Sequence, residues 1–210
     1  MIGIYGGTFD PIHFGHLRSA LDVAEQLGLS KVLMIPSAQP PHRETPVVSV
    51  EHRWQMLQLA LEGQQLMVAD DREIQRKGPS YTYDTLTELR QEYNGEALCL
   101  IQGGDVFQKL HTWHRWQELL DLTHIVVMRR AGENVLWDAL VEKRYSQCLT
   151  NDKTELESKA AGKIIELDVV PLSISATQIR NKILMNEKIK YLLPDNVLAH
   201  IDKHKLYRNH

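Results

Sequence analysis

Two histidines three residues apart, His13 and His16, close the run Gly6-Gly7-Thr8-Phe9-Asp10-Pro11-Ile12-His13-Phe14-Gly15-His16. On or just before a first helical turn, both rings can converge on one spot. Each can donate an N–H bond or, when protonated, a positive charge. The paired glycines admit close backbone approach, and a glycine turn that opens a helix presents N–H donors to phosphate. The run therefore predicts a nucleotide site whose histidines face phosphate. A redox dinucleotide turn needs G-x-G-x-x-G, a spacing that Gly3, Gly6, Gly7 and Gly15 do not make. A zinc site on His13 and His16 lacks both H-E-x-x-H and a cysteine pair. Helix capping is the plain alternative for both histidines.

A second constellation lies near the other end, at Ile174-Ser175-Ala176-Thr177-Gln178-Ile179-Arg180. Ser175 and Thr177 sit at a predicted helix start, where hydroxyls and free N–H groups suit phosphate oxygens. Arg180, one turn on, can offer a fork to an anion. An ordinary cap with a surface arginine is the competing reading. Asp105 follows a strand and two glycines, where an acid can accept from ribose hydroxyls or cap the next short helix.

The elements that must hold these residues alternate strand with helix. Met1 to Tyr5 reads as a short buried strand, and His16 to Leu27 has helical apolar spacing closed by Gly28. Lys31 to Pro36 is apolar on both faces, as in a covered parallel sheet. A proline-rich loop, 37 to 48, precedes a helix capped by Ser49 and running to about Glu62. Further strands are predicted at 66–69, 97–101, 124–128 and 163–167, and further helices at 79–93, from Ser175 to about Met185, and from Pro194 to near His204. Residues 138 to 162 are polar and weakly patterned, and read as a surface excursion. The expected fold is a Rossmann-like, doubly wound, mainly parallel α/β sheet with helices on both faces, its ligands at the carboxyl ends of the strands.

Composition narrows the setting. At 210 residues and a net charge of −3, the chain is sized for one domain, and its slight acidity argues against a nucleic-acid partner. No apolar run approaches a membrane span, and the N-terminus has no secretory pattern. Two cysteines make no disulfide framework, so a reduced, cytoplasmic setting is expected.

The two constellations resemble, in order and position, the two signatures of the nucleotidyltransferase superfamily. Pro40-Pro41-His42-Arg43, Ser80-Tyr81-Thr82-Tyr83-Asp84-Thr85-Leu86 and Gly103-Gly104-Asp105 extend the similarity to the bacterial nicotinate-nucleotide adenylyltransferases over almost the whole length. Arg129-Arg130-Ala131-Gly132 departs from that pattern, with Ala131 in place of proline.

The resemblance implies a single domain over 1–210, with the second phosphate motif and closing helices at 163–205. It implies adenylyl transfer from ATP to nicotinate mononucleotide, giving deamido-NAD and pyrophosphate. The 5′-phosphate is the nucleophile and needs no general base, so catalysis is positioning and charge stabilisation. His13, His16 and Arg180 are the implied catalytic residues, with the larger transition-state role on His16. Gly6, Gly7, Thr8, Phe9, His16, Asp105, Ile174, Ser175, Thr177 and Arg180 are assigned to ATP, although Phe9, like Tyr5 and Phe107, also reads as a core or rim residue. Tyr81 and Thr82 offer N–H groups to the nicotinate carboxylate, Trp113 a face for the pyridine ring, and His42 and Arg43 a closing loop over phosphate. Mg²⁺ is expected mainly on ATP oxygens, with no protein metal ligand. A homo-oligomer is compatible with the sequence. The nearest rivals are an enzyme of the amidated mononucleotide, a phosphopantetheine adenylyltransferase or cytidylyltransferase, and a non-catalytic nucleotide sensor.

Overall fold

The structure is a computed structural model that describes residues 1–39 and 46–208. Six strands form one all-parallel sheet in the order β3-β2-β1-β4-β5-β6: β1 Ile2–Gly7, β2 Lys31–Pro36, β3 Met67–Ala69, β4 Leu98–Gly103, β5 His124–Arg130 and β6 Ile164–Val169. The described helices are α1 Phe14–Leu27, α2 Val50–Ala60, α3 Arg72–Gln75, α4 Thr82–Glu92, α5 Gly104–Phe107, α6 Leu119–Leu122, α7 Ala139–Tyr145, α8 Thr154–Glu157, α9 Ala176–Leu184 and α10 Asp195–Lys203.

The strand sequences explain the two-layer cover. Val32, Met34, Cys99, Ile101, Val126 and Met128 point to one side, into a core shared with α1, α2, α9 and α10. Their neighbours Leu33, Ile35, Leu98, Leu100, Ile125 and Val127 point to the other, against Leu86 and Leu89 of α4 and Leu119 and Leu120 of α6. Alternation with both faces apolar is what a strand buried on both sides requires. The order reverses between β1 and β4, which opens a crevice at their carboxyl ends.

The expected doubly wound sheet is thus present. Residues 138 to 162 are less of an excursion than their polarity suggests. They form α7, a 3₁₀ turn at Ser146–Cys148 and α8, and they bury Val141, Tyr145 and Leu156 against the sheet. With one anchor per short turn, no sustained helical period could develop. The helix predicted over 79–93 begins at Thr82, with Tyr81 in the cap position.

Candidate active site

The turn between β1 and α1 is built by its own side chains. Phe9 has φ 49°, and its ring is 2 % exposed. A bulky residue in the left-handed region is uncommon, and such backbone clusters at functional sites. The ring folds back over Gly7, where an added Cβ would lie 2.8 Å from Phe9 Cε1. It also packs edge-on to His16, with centroids 5.2 Å apart. Phe9 is therefore packed into the turn as a core residue, in keeping with its reading as a core or rim side chain. At Gly6, by contrast, an added Cβ would meet nothing within 4 Å. It would project into open space beside the turn.

His13 occupies the cap position of α1 but makes no side-chain capping bond. Its ring stacks on that of His16 with centroids 3.7 Å apart and planes 26° apart. The two histidines do converge, and capping does not explain His13. Burial holds His13 well below its ordinary range, down to about 4, so near neutral pH it is an uncharged imidazole and donates an N–H without a charge. Gly15 is required by this stack: an added Cβ would lie 2.9 Å from His13 Nδ1 and Cε1 and 3.2 Å from the carbonyl oxygen of Ile174. The second motif thus crosses the first at Gly15.

That crossing is tied down further. Arg180 donates from Nη1 to the Asp10 carbonyl at 2.7 Å and from Nη2 to Thr177 Oγ1 at 3.2 Å. Ser175 caps α9, its Oγ accepting from the Gln178 N–H at 3.1 Å, which leaves its hydroxyl hydrogen to donate. Asp10 is 5 % exposed and accepts from Tyr207 Oη at 2.7 Å and from the Val47 N–H at 2.8 Å. The last described residues are in this way wired to the phosphate turn.

Beside the turn, at the switch point, lies a cavity of about 440 Å³. Gly6, Gly7 and Thr8 form one wall; Ser80, Tyr81, Thr82 and Thr85 another; Gln102, Asp105, Lys109, Trp113 and His114 a third. His13, His16, Ser175, Thr177 and Arg180 are not among its lining residues, whereas Gly6, Gly7 and Thr8 of the same turn are. Asp105 does not cap α5, whose cap position is Gly103 with no side-chain bond. It stands on the cavity wall. Trp113 is half-buried and also lines the pocket. His42 and Arg43 lie outside the described residues.

One call changes. The Tyr81 N–H is bound to the Pro79 carbonyl at 3.1 Å, so it is not an open donor. Among the described residues, the N–H groups of Thr82 and Tyr83 have no such partner, and they are the donors of this helix end. Ser80 accepts at Oγ from the N–H groups of Ala38 and Gln39, at 3.0 and 3.2 Å, and so fixes the segment after β2 rather than starting the helix.

Two buried charged residues went unread in the sequence. Arg53, 1 % exposed, donates from Nη1 to the carbonyls of Thr8 and Ser37, both at 2.7 Å. Burial lowers its pKa, opposed first by Asp10. It links the phosphate turn to the segment that Ser80 holds. The available signal was its place in the i, i+3, i+4 series Arg53, Met56, Leu57, the buried face of α2. The other is Glu73, on the cavity wall. No group of three histidines, cysteines or carboxylates among the described residues could hold a metal ion.

The cytidylyltransferase-like family profile matches residues 4–182. A "probable nicotinate-nucleotide adenylyltransferase" of Pseudomonas putida is 44% identical over 208 residues, covering 99% of this chain and 90% of its own. One from Methylococcus capsulatus is also 44% identical, with 99% of each chain covered. The chain belongs to the nicotinate-nucleotide adenylyltransferase family. A solved structure of the Plasmodium falciparum nicotinic acid mononucleotide adenylyltransferase complexed with NaAD has the same fold, with a TM-score of 0.75 at 17% identity, covering 98% of this chain and 96% of that one. The adenylyltransferase assignment thus agrees with both histidine and serine–arginine motifs where the fold brings them together.

Proposed function

We propose that this chain catalyses adenylyl transfer from Mg–ATP to nicotinate mononucleotide, a step of NAD biosynthesis, with residues 1–210 acting as one domain. The observation that carries the reading is the stacked His13–His16 pair, crossed by the Ser175–Arg180 motif and opening onto a separate cavity with helix-end donors. An oxygen of the mononucleotide phosphate attacks the α-phosphorus. The bond from that phosphorus to the bridging oxygen of the β-phosphate breaks, and pyrophosphate leaves with its electron pair. The acceptor phosphate is largely dianionic near neutral pH, since its second pKa is ~6, so no residue need remove a proton.

In this reading His16 donates to the α-phosphate as charge builds, and neutral His13 orients it by the stack and adds an N–H donor. Ser175, Thr177 and Arg180 face the β- and γ-phosphates. In this reading the metal arrives with ATP and would be held mainly by phosphate oxygens and water. The Thr82 and Tyr83 N–H groups receive the nicotinate carboxylate at the positive end of α4, and Trp113 covers the ring.

Pyrophosphate release with Mg–ATP and a panel of acceptors tests this. Release is expected with nicotinate mononucleotide and not with phosphopantetheine or without acceptor. Release with phosphopantetheine alone would transfer the assignment to that rival, and binding of ATP with no release from any acceptor would make the chain a sensor.

A further inference from the structure

Arg53 is buried behind the phosphate turn, and the chemistry above gives it no task. It is 1 % exposed. The contacts of its guanidinium are main-chain carbonyls: Nη1 donates to Thr8 and to Ser37, each at 2.7 Å, and Nη2 reaches Ala38 at 3.4 Å. Its Nε is buried with no hydrogen-bond partner among the described residues. Asp10 is the acid that acts on it most strongly, yet Asp10 commits its oxygens to the Val47 N–H and the Tyr207 hydroxyl. A buried cation with no carboxylate bound to it lowers stability. An apolar residue like Met56 and Leu57, on the same buried face of α2, would fill the place without that cost.

What the guanidinium does instead is join elements. Thr8 follows β1, and Ser37 and Ala38 follow β2, so Arg53 pins together the carboxyl ends of two adjacent strands. The connection continues through the peptide planes. In a trans peptide the C=O and the N–H point opposite ways. Arg53 takes the Ser37 carbonyl, and the Ala38 N–H of the same peptide donates to Ser80 Oγ at 3.0 Å. It takes the Ala38 carbonyl, and the Gln39 N–H of that peptide donates to the same oxygen at 3.2 Å. The Ser80 N–H returns to the Gln39 carbonyl at 3.0 Å. Ser80 is itself buried and lies just ahead of Thr82, the first residue of α4. A strap of hydrogen bonds therefore runs from the phosphate turn, through Arg53 and residues 37–39, to the donor end of α4. A planar fork can span these carbonyls, whereas the single ammonium of a lysine cannot hold them in one geometry.

Resting on the function proposed above, we propose that Arg53 is a positioning residue that fixes the distance between the phosphate turn and the carboxylate donors of α4. It touches no substrate and acts through the Thr8 carbonyl and Ser80. A ligand that spans both ends feels that spacing, and a ligand held at the turn alone does not.

Calorimetry on the intact protein tests this with two variants. Arg53→Lys keeps the charge and loses the fork; Ser80→Ala cuts the strap at its other end. Deamido-NAD reaches both ends, and its Kd should rise about tenfold in each variant, the loss of one hydrogen bond to a charged group. The Kd of Mg–ATP, which in this reading stops short of α4, should stay within about threefold. Because the two residues hold one strap in series, the double variant should be no worse than the weaker single, where independent sites would multiply to about a hundredfold. In turnover, kcat should fall by ~10² with the KM for ATP kept, since the loss is of alignment. A general loosening of the fold would weaken both ligands together. A dinucleotide Kd unchanged in both variants, an equal rise for ATP, or multiplying effects overturns the proposal. Should Arg53→Lys not fold, the two Kd values of Ser80→Ala decide alone. The binding arm needs no turnover: an enzyme with this pattern that released no pyrophosphate would sink the functional reading alone, and a wild type that did not bind the dinucleotide would sink both.

Discussion

Replacing Gly15 by alanine tests how tightly the two phosphate motifs are packed. The new methyl would lie 2.9 Å from two atoms of the His13 ring and 3.2 Å from the Ile174 carbonyl oxygen. Ordinary contact is half an ångström or more beyond the first value. The carbonyl is backbone, and the ring is 4 % exposed and stacked on His16, so neither can swing into solvent. Relief requires shifting the histidine pair, lifting the second motif, or both. Overpacking of this kind costs ~1–3 kcal/mol, while alanine in a helix recovers up to ~1 kcal/mol over glycine. The net loss of stability is thus about 0–3 kcal/mol, a fall in Tm of at most ~12 °C for a chain of this size. The effect on turnover is larger, because a misplacement near 1 Å in a positioning-dependent reaction costs ~10² in rate. Saturating kinetics and a thermal melt should show kcat down by roughly two orders of magnitude in a folded protein. A kcat within threefold of wild type, with Tm unchanged, would show that the stack and the crossing of the motifs do not set the catalytic geometry.

Gly6→Ala should leave Tm unaltered, since its Cβ meets nothing in the free protein, yet raise a substrate KM by projecting into the space a substrate must use; unchanged KM values would place the substrates elsewhere. His16→Ala should fold and lose at least ~10² in kcat, with ATP binding weakened less, and activity within tenfold of wild type would remove it from the chemistry. Arg180→Ala should raise the KM for ATP and lower kcat, and if neither moves, its contacts to Asp10 and Thr177 are structural only. His13 binds its proton less readily folded, at about 4, than unfolded, at about 6.5, so stability that is full above pH 6.5 is lost as pH falls towards 4, by at most ~3 kcal/mol. His13→Asn should flatten that part of a denaturation-against-pH curve, and an unaltered curve would mean the ring is not buried neutral.

What the sequence revealed and concealed follows from the range of the interactions. The first turn, α1 with its Gly28 closure, and the Ser175 cap are specified within a few residues, and each appears where its pattern puts it. The convergence of His13 with His16 is local as well. The donors at α4 were displaced by one residue, because the decision between Tyr81 and Tyr83 rests on whether a nearby carbonyl, that of Pro79, takes the first N–H. Arg53, despite its place on the apolar face of α2, and Glu73 were missed for a different reason. Their partners, Thr8 and Ser37 for one and Thr85 for the other, lie 45, 16 and 12 residues away, and a charged residue reads as solvated until its surroundings are known. The same holds for Tyr207, whose partner Asp10 stands 197 residues earlier.

The most direct test of the central claim is kcat/KM for nicotinate mononucleotide and for its amide at saturating Mg–ATP, with the dinucleotide product identified. In the proposed reading, the helix-end donors of Thr82 and Tyr83 meet both oxygens of a carboxylate, whereas an amide would set donor against donor. An unpaired buried donor costs ~1–3 kcal/mol, with the lost charge-assisted bond added to it. Deamido-NAD and pyrophosphate in equal amounts, with the acid preferred by ~10² or more, is the result expected. Equal rates, or preference for the amide, would contradict the account.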